Sequence, residues 1–251
     1  MVLLAVFIAV AVLLIALVVL RRRGKEDEDY ASSALDFSLN LALAVYLLVL
    51  AYAAVLAYDA IGAAETDSVA ESESLTELYW AVAAIPEADP IRAQIREYTN
   101  QSINLDWPLM SQGELSPVPS ETLDTIRTEL IKLRPADDAG KEARSEALSK
   151  VADVTHARAL RADDAGTSLD PTFLICMILS GIVVIVLPWM AAAKPTFASM
   201  VSDIVRVCVV VGGVMIILLI KGPYSGASAV EPEAFEVAQK QYDVIDRQLP
   251  A

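Results

Sequence analysis

The chain has 251 residues, 55% of them hydrophobic, and carries 33 acidic against 19 basic side chains, for a formal net charge of −14. This excess of negative charge argues against a nucleic-acid partner, because phosphate binding depends on clustered Lys and Arg. One histidine and two cysteines are too few for a structural zinc site. We therefore expect neither a metal nor any other cofactor.

Four long apolar runs organise the chain. The first, residues 2–20, contains no charged side chain, and about 20 such residues cross the ~30 Å hydrocarbon core of a bilayer as a helix. We therefore predict an all-α integral protein of the cell membrane that crosses the lipid bilayer four times. The predicted spans one to four are 1–20, 39–61, 171–190 and 204–220.

Polar segments connect and follow these spans. A mixed basic and acidic loop, 21–38, follows span one, and a short loop, 191–203, separates spans three and four. The segment 62–170 is long enough for a small soluble domain, and we predict that it is a helical extramembrane insert. The C-terminal tail is 221–251. We expect it to pack an amphipathic helix on the insert through four residues, Phe235, Val237, Tyr242 and Ile245.

The insert shows helical spacing and no alternation of period two, so we predict helices and no sheet within it. An Asp-Pro pair at 89–90 starts one helix, which is predicted to end by Trp107-Pro108. Ser120 is predicted to cap the next helix, and the last helix to cover about 139–165. The expected result is an antiparallel helical extension of the membrane bundle.

Basic residues near the span ends are unevenly distributed. Arg21, Arg22, Arg23 and Lys25 all follow span one. By the positive-inside rule this loop lies in the cytoplasm. The rule therefore predicts that both termini and the insert lie on the extracytoplasmic side.

Span two is the most polar span and is followed by carboxylates. Asn40 and Asp59 lie within it, and Glu65 and Glu71 lie just beyond it. A ring of such groups around an oligomer axis would form a cation filter. We therefore select these four residues as candidate pore or ion-attracting residues. A solvated helix face near the membrane is the alternative interpretation.

Small residues fall near the centres of spans three and four. They are Ser180 and Gly181 in span three, and Gly212 and Gly213 in span four. Small side chains at matching depth allow two helices to cross closely. We therefore predict helix packing at these four positions, with a hinge as the alternative.

Several segments resemble those of a known family, and they comprise the helix 91–98, the segment 230–235 and three motifs. The first, after span two, ends at Tyr79 in Glu71-Ser-Glu-Ser-Leu-Thr-Glu-Leu-Tyr79. The second is Trp107-Pro108-Leu-Met-Ser-Gln-Gly113, and the third, after span four, is Gly222-Pro223-Tyr224-Ser225-Gly226. Over roughly residues 37–240 the chain resembles the bacterial bestrophin-like membrane family. That family has Asp-Asn-Pro-Phe-Ser-Gly after span four, where this chain has Lys221-Gly222 in place of Asp-Asn and Tyr224 in place of Phe.

The resemblance implies structural roles for the matching residues, Tyr79, Trp107, Pro108, Gly113, Pro223, Tyr224, Ser225 and Gly226. Bestrophins are pentameric anion channels with the long insert and both termini in the cytoplasm. The resemblance therefore implies an oligomeric channel, with a topology opposite to the one that the charge distribution predicts.

Two functions remain open at this point. The first is an oligomeric ion channel or ion-transport protein, a homo-oligomer in which span two lines a central path. The second is a non-enzymatic accessory or scaffold subunit that docks a larger membrane protein complex through the insert. The sequence contains no phosphate-binding loop, nucleophile elbow or metalloprotease helix. We therefore assign no catalytic residue and expect no enzyme.

Overall fold

The computed structural model describes residues 28–167, 170–189, 197–220 and 222–249. Predicted span one, the Arg21–Lys25 cluster and part of the 191–203 loop lie outside these residues. The described residues form helices and turns, with no strand among them, which confirms the all-α prediction.

The helices are numbered here in chain order. Helix α1 is Glu28–Ala83, and a 3-10 turn, Pro86–Ala88, connects it to α2, Asp89–Gln101. A π-helical turn, Ser102–Asp106, leads into the short α3, Trp107–Met110. The remaining helices are α4 (Pro117–Lys132), α5 (Asp138–Gly166), α6 (Pro171–Trp189), α7 (Phe197–Leu219) and α8 (Glu233–Gln248).

Three stretches of the chain are long and apolar enough to cross a membrane, as judged by length and composition. Each contains an 18-residue window with a mean hydropathy of 2.3. The first, Phe37–Ala83, contains predicted span two. The second, Asp138–Leu187, runs from α5 into α6 and contains most of span three, and the third, Met200–Leu219, contains most of span four.

The chain divides into two compact units. One, called here the apolar unit, comprises Met1–Ala57 and Leu169–Leu219, and the other, called the polar unit, comprises Tyr58–Ser168 and Ile220–Ala251. The C-terminal tail therefore folds with most of the residues of the predicted insert.

The apolar unit is held together by close contacts between α1, α6 and α7. Tyr46 of α1 is fully buried, and its hydroxyl donates to the Val210 carbonyl oxygen at 2.8 Å. A Cβ atom added to Gly213 would lie 2.6 Å from Leu50 and 2.7 Å from the Tyr46 hydroxyl, and one added to Gly181 would lie 2.7 Å from Val210. These two glycines therefore lie where a side chain would separate the helices.

The other two small residues differ from each other. Ser180 is buried, and its hydroxyl donates to the Met177 carbonyl oxygen within α6. A Cβ atom added to Gly212 would meet no atom within 4 Å. Gly212 is thus no packing residue of this unit, because successive residues of a helix point about 100° apart and only Gly213 lies against α1.

The polar unit has its own apolar core. The core is formed by the C-terminal part of α1 with α2, α4, α5 and α8. Its fully buried side chains include Leu78, Val82, Ile95, Ile126, Leu130, Val151, Val154 and Phe235.

Helix α8 packs on this core much as predicted. Phe235, Tyr242 and Ile245 are buried, together with Ala238. The prediction for Val237 is wrong, because this side chain is 49% exposed. The buried positions recur every three or four residues, and this spacing selects position 238 rather than 237.

The start of α4 also differs from the prediction. The helix begins at Pro117, and the Ser116 hydroxyl accepts the Val118 backbone N–H at 3.3 Å. Proline at the first helical position favours this start. Ser120 lies one turn inside the helix, where its hydroxyl instead accepts an N–H from Arg158 at 3.0 Å.

We predict that Gly213→Leu lowers the stability of the protein by about 1–3 kcal/mol, because a side chain at this position must displace Tyr46 and Leu50. The measurement is thermal unfolding of the purified protein in detergent. Gly212→Leu is the matched control, since it makes the same change of residue in the same helix. Equal losses for the two variants would contradict the assigned contact.

Candidate functional site

Two carboxylates and two arginines are buried together in the polar unit. Glu71 lies on α1, Asp106 ends the π-helical turn, and Arg158 and Arg161 lie on α5. The side chains of Glu71, Asp106 and Arg161 have no exposed surface, and that of Arg158 is 8% exposed. The formal charges of this group, called here the buried charge cluster, cancel. Since an unpaired buried ion costs several kcal/mol, each member depends on the others.

Arg161 binds Glu71 through two parallel hydrogen bonds. Its Nε lies 2.7 Å from Glu71 Oε2, and its Nη2 lies 3.1 Å from Glu71 Oε1. The same Nη2 also donates to Asp106 Oδ2 at 3.2 Å. The planar guanidinium matches the two carboxylate oxygens. The pair therefore fixes how α5 is rotated against α1.

Asp106 joins Arg158 to the loop before α4. Arg158 Nη1 donates to Asp106 Oδ2 at 2.5 Å, and its Nη2 donates to the Ser116 carbonyl oxygen at 2.9 Å. The Ser116 backbone N–H in turn donates to Asp106 Oδ1 at 2.9 Å. One carboxylate thus holds both α5 and the start of α4 in place.

Tyr98 of α2 supplies a neutral donor to the cluster. Its hydroxyl donates to Glu71 Oε1 at 2.5 Å. Burial, and then the negative charge of Glu71, raise the pKa of Tyr98 well above its usual value. The phenol therefore stays protonated and keeps its hydrogen bond at physiological pH.

Aromatic rings enclose the Arg161 guanidinium. Its central carbon lies 5.0 Å from the Trp107 ring centre and 5.1 Å from the Phe235 ring centre, both within the range of a cation–π interaction. The Trp107 indole N–H donates to the Val230 carbonyl oxygen at 3.0 Å. Trp107 of α3 and Phe235 of α8 thereby cover the cluster. Because its charges are buried and paired with each other, the cluster has a structural role.

Pro108 accounts for the irregular helix that delivers Asp106. Proline has no backbone N–H to donate to the carbonyl four residues earlier, so a regular α-helix cannot continue through this position. The chain instead forms the π-helical turn and resumes at Trp107. Such turns place a side chain where an α-helix could not, and here that side chain is Asp106.

The turn after α7 packs against Trp107, the residue that also covers the buried charge cluster. The Tyr224 hydroxyl lies 3.0 Å from Ser68 Oγ, and its ring meets the Trp107 ring edge-on with centres 6.2 Å apart. The backbone N–H of Ser225 donates to the Gly222 carbonyl oxygen at 3.2 Å. Pro223 is buried, and Gly226 has a φ of 97°, a value that favours glycine. Four of the family-motif residues therefore build this tight turn.

The remaining motif residues lie elsewhere in the polar unit. Gly113 has a φ of 83° and ends the turn that follows α3. Tyr79 stacks on Tyr242 with ring centres 4.3 Å apart, and its hydroxyl donates to Asp246 at 2.8 Å. Arg96 binds the same carboxylate at 2.7 Å. These contacts attach α8 to α1 and α2.

The four candidate pore residues separate into two groups. Asn40, Asp59 and Glu65 are exposed on α1. Glu71 is fully buried and paired with Arg161. The structure therefore contradicts an ion-attracting role for Glu71, because its charge is compensated and inaccessible.

The buried arginines and Asp106 were not among the site residues predicted from the sequence. One signal for the arginines was present in the spacing of α5. Its buried apolar positions are 147, 151 and 154, and the next two positions at helical spacing are Arg158 and Arg161. Two arginines on an apolar stripe indicate buried ion pairs, since a buried charge needs a partner.

Asp164 faces another carboxylate at the end of α5. Its Oδ2 is buried and receives no hydrogen bond from the described residues. Burial, and then the charge of Asp67 on α1, raise the pKa of Asp164 to about 6, with Asp163 adding to the repulsion. Among the described residues, no group of three or more His, Cys, Asp or Glu could hold a metal ion.

We predict that Arg161→Met costs about 3–5 kcal/mol of stability, because it leaves two buried carboxylates with one arginine. Adding Glu71→Gln should recover part of this loss, since the Arg158–Asp106 pair then remains balanced. The measurement is unfolding of the full chain in detergent followed by circular dichroism. The control is Lys141→Met, which breaks an exposed pair and should cost no more than about 0.5 kcal/mol. A double variant as unstable as the sum of the two single changes would contradict the coupling.

A second prediction concerns pH. The folded protein binds more protons at Asp164 than the unfolded chain between about pH 4 and 6, so the contribution of this residue to stability falls as pH rises through that window. Asp164→Asn should therefore be more stable than the wild type at pH 7, with the difference shrinking towards pH 4. Melting temperatures across this range provide the measurement. Asp153→Asn, an exposed change on the same helix, should leave the pH dependence unaltered.

Comparison with known proteins agrees with the motifs described above. A family model, the bestrophin-like domain, matches residues 5–235. No curated protein and no solved structure matches the chain. The match confirms the resemblance found in the sequence, and the apolar helices fit the membrane location of that family. Since the family model covers most of the chain, the protein belongs to the bestrophin-like family.

Proposed function

We propose that this protein is an oligomeric ion channel or ion-transport protein in which the second predicted span lines the path. The observation that carries the proposal is the placement of the polar residues of that span. Asn40 and Asp59 lie on surface that the single chain leaves uncovered. A polar side chain that faces lipid is unfavourable, and association around an axis would remove it from the lipid.

In the apolar unit, one face of α1 is buried against other helices and another face is exposed. Tyr46, Ala53 and Ala57 are buried against the other helices. Asn40 is exposed, and so is Leu47, two turns further along the same helix. This uncovered face is the part of α1 that is free to contact a second copy.

In the polar unit, the exposed face of α1 carries negative charge. Asp59 and Glu65 are exposed, and neither forms an ion pair with a described residue. Carboxylates in this position would concentrate cations at a pore mouth. Glu71 has no part in the proposal.

The alternative is a non-enzymatic accessory or scaffold subunit of a larger membrane protein complex. The observation that favours it is the polar unit itself, which has its own sealed core and an exposed, strongly acidic groove beside α8. In that case the protein would dock its partners through the polar unit and conduct no ions.

We predict that Asp59→Asn combined with Glu65→Gln lowers cation preference, because the change removes two carboxylates from the proposed mouth. The measurement is the reversal potential of the purified protein in a planar bilayer under a KCl gradient. Glu142→Gln with Glu146→Gln is the matched control, since it removes the same charge from exposed sites on α5. A conducting variant with an unchanged reversal potential would contradict the assignment. The assignment would also be contradicted if the wild-type protein is monomeric in detergent and, after reconstitution, gives no more ion flux than empty vesicles.

A further inference from the structure

A groove runs along α1 and the segment 228–241 of the polar unit. It consists of two neighbouring cavities of about 450 and 480 Å³ that share Val69, Ala234 and Val237 in their linings. Its α1 wall extends from Ile61 to Glu77, a length of about 24 Å at ~1.5 Å per residue. We call this feature the α1–α8 groove.

The floor of the groove presents exposed apolar side chains beside buried serine and threonine residues of α1. Val69 is 39% exposed and Val237 is 49% exposed, and Ala234 lies half-buried between them. Val237 belongs to α8 but faces away from the core that its neighbours Phe235 and Ala238 help to form. These apolar side chains therefore have surface available for a partner.

The rim of the groove is acidic on both walls. Glu65, Glu73 and Glu77 come from α1, and Glu231 and Glu233 come from the opposite wall. All five are exposed, and the ion pairs of the described residues include none of them. Glu73 and Glu77 are four residues apart on one helix, where like charges destabilise that helix. The ion pairs of the described residues thus give no compensation for this charge.

The charge and shape of the groove select the class of partner. Anionic ligands and anionic lipid surfaces are repelled by the rim. A second copy of the chain is a poorer match for the acidic rim, because each copy carries a formal net charge of −14. A helix with an apolar stripe and flanking Lys or Arg matches both the floor and the rim.

We propose that the α1–α8 groove binds a basic amphipathic helix of a partner protein. About 16 residues of such a helix fill the length of the groove. Its apolar stripe covers Val69 and Val237, and its basic residues pair with Glu73 and Glu77 on one side and with Glu231 and Glu233 on the other. This interaction does not require that the protein conducts ions, and a helix that fills the groove covers Glu65, which the proposed pore also uses.

The test uses the full chain in nanodiscs of zwitterionic lipid, with empty nanodiscs as the blank. The probe is a fluorescent peptide of about 16 Leu and Lys residues with its leucines on one face, and a scrambled peptide of the same composition tests the need for that face. The rim variant combines Glu73→Gln, Glu77→Gln, Glu231→Gln and Glu233→Gln. Glu65 is left unchanged, so that failure of this proposal is distinguishable from failure of the proposed pore.

The control variant removes the same charge from exposed sites elsewhere, by Glu114→Gln, Glu121→Gln, Glu142→Gln and Glu146→Gln. We expect the rim variant to weaken binding of the peptide about tenfold and the control variant to leave it unchanged within about twofold. Val237→Ser should also weaken binding, because it removes apolar contact without touching the core.

Three results would overturn the proposal. Equal weakening in the rim and control variants would show attraction to net charge alone. Binding no stronger than to empty nanodiscs, or no stronger than that of the scrambled peptide, would show that the groove does not recognise this helix. A rim variant that binds the peptide normally but loses mass as an oligomer would identify the groove as a contact between copies of the chain.

Discussion

The organisation of the polar unit depends on one guanidinium. Arg161 is fully buried, and it contacts Glu71 on α1, Asp106 on the π-helical turn, Trp107 on α3 and Phe235 on α8. Four elements therefore converge on a side chain of a fifth, α5. Because a buried charge is tolerated only with its partners in place, these elements must adopt their positions together.

The buried charge cluster also explains which carboxylates of the polar unit are available to a partner or an ion. Glu71 and Asp106 are each neutralised by arginine and closed to solvent. Asp59, Glu65 and Glu73 are exposed on α1 and have no such partner among the described residues. Sequence position alone cannot separate the two classes, since Glu65 and Glu71 are less than two helical turns apart.

The helices were largely predictable from the sequence, because apolar spacing, caps and prolines act locally. The predictions that failed concern single residues, whose roles depend on which neighbours the fold brings to them. The spacing Leu78, Leu75, Glu71 places the carboxylate on the buried stripe of α1. The position of Glu71 along the helix therefore predicts its burial, whereas its negative charge alone suggested an exposed, ion-attracting residue. The pairing of Glu71 with Arg161 joins residues 90 positions apart, and no local pattern specifies such a contact.

Ion pairs with arginine determine which carboxylates of the polar unit are neutralised and which remain unpaired. In the polar unit, Arg158 and Arg161 serve the core, and Arg92 and Arg96 hold Asp246 of α8. The exposed carboxylates along α1 are consequently left without these cations. Whether α1 faces an ion path or a docked helix, the polar unit offers its partner an uncompensated acidic surface. The two proposals differ in the neighbours of that surface: a pore needs further copies of α1 around an axis, whereas a docking groove needs the apolar floor at Val69 and Val237, which a single chain already provides.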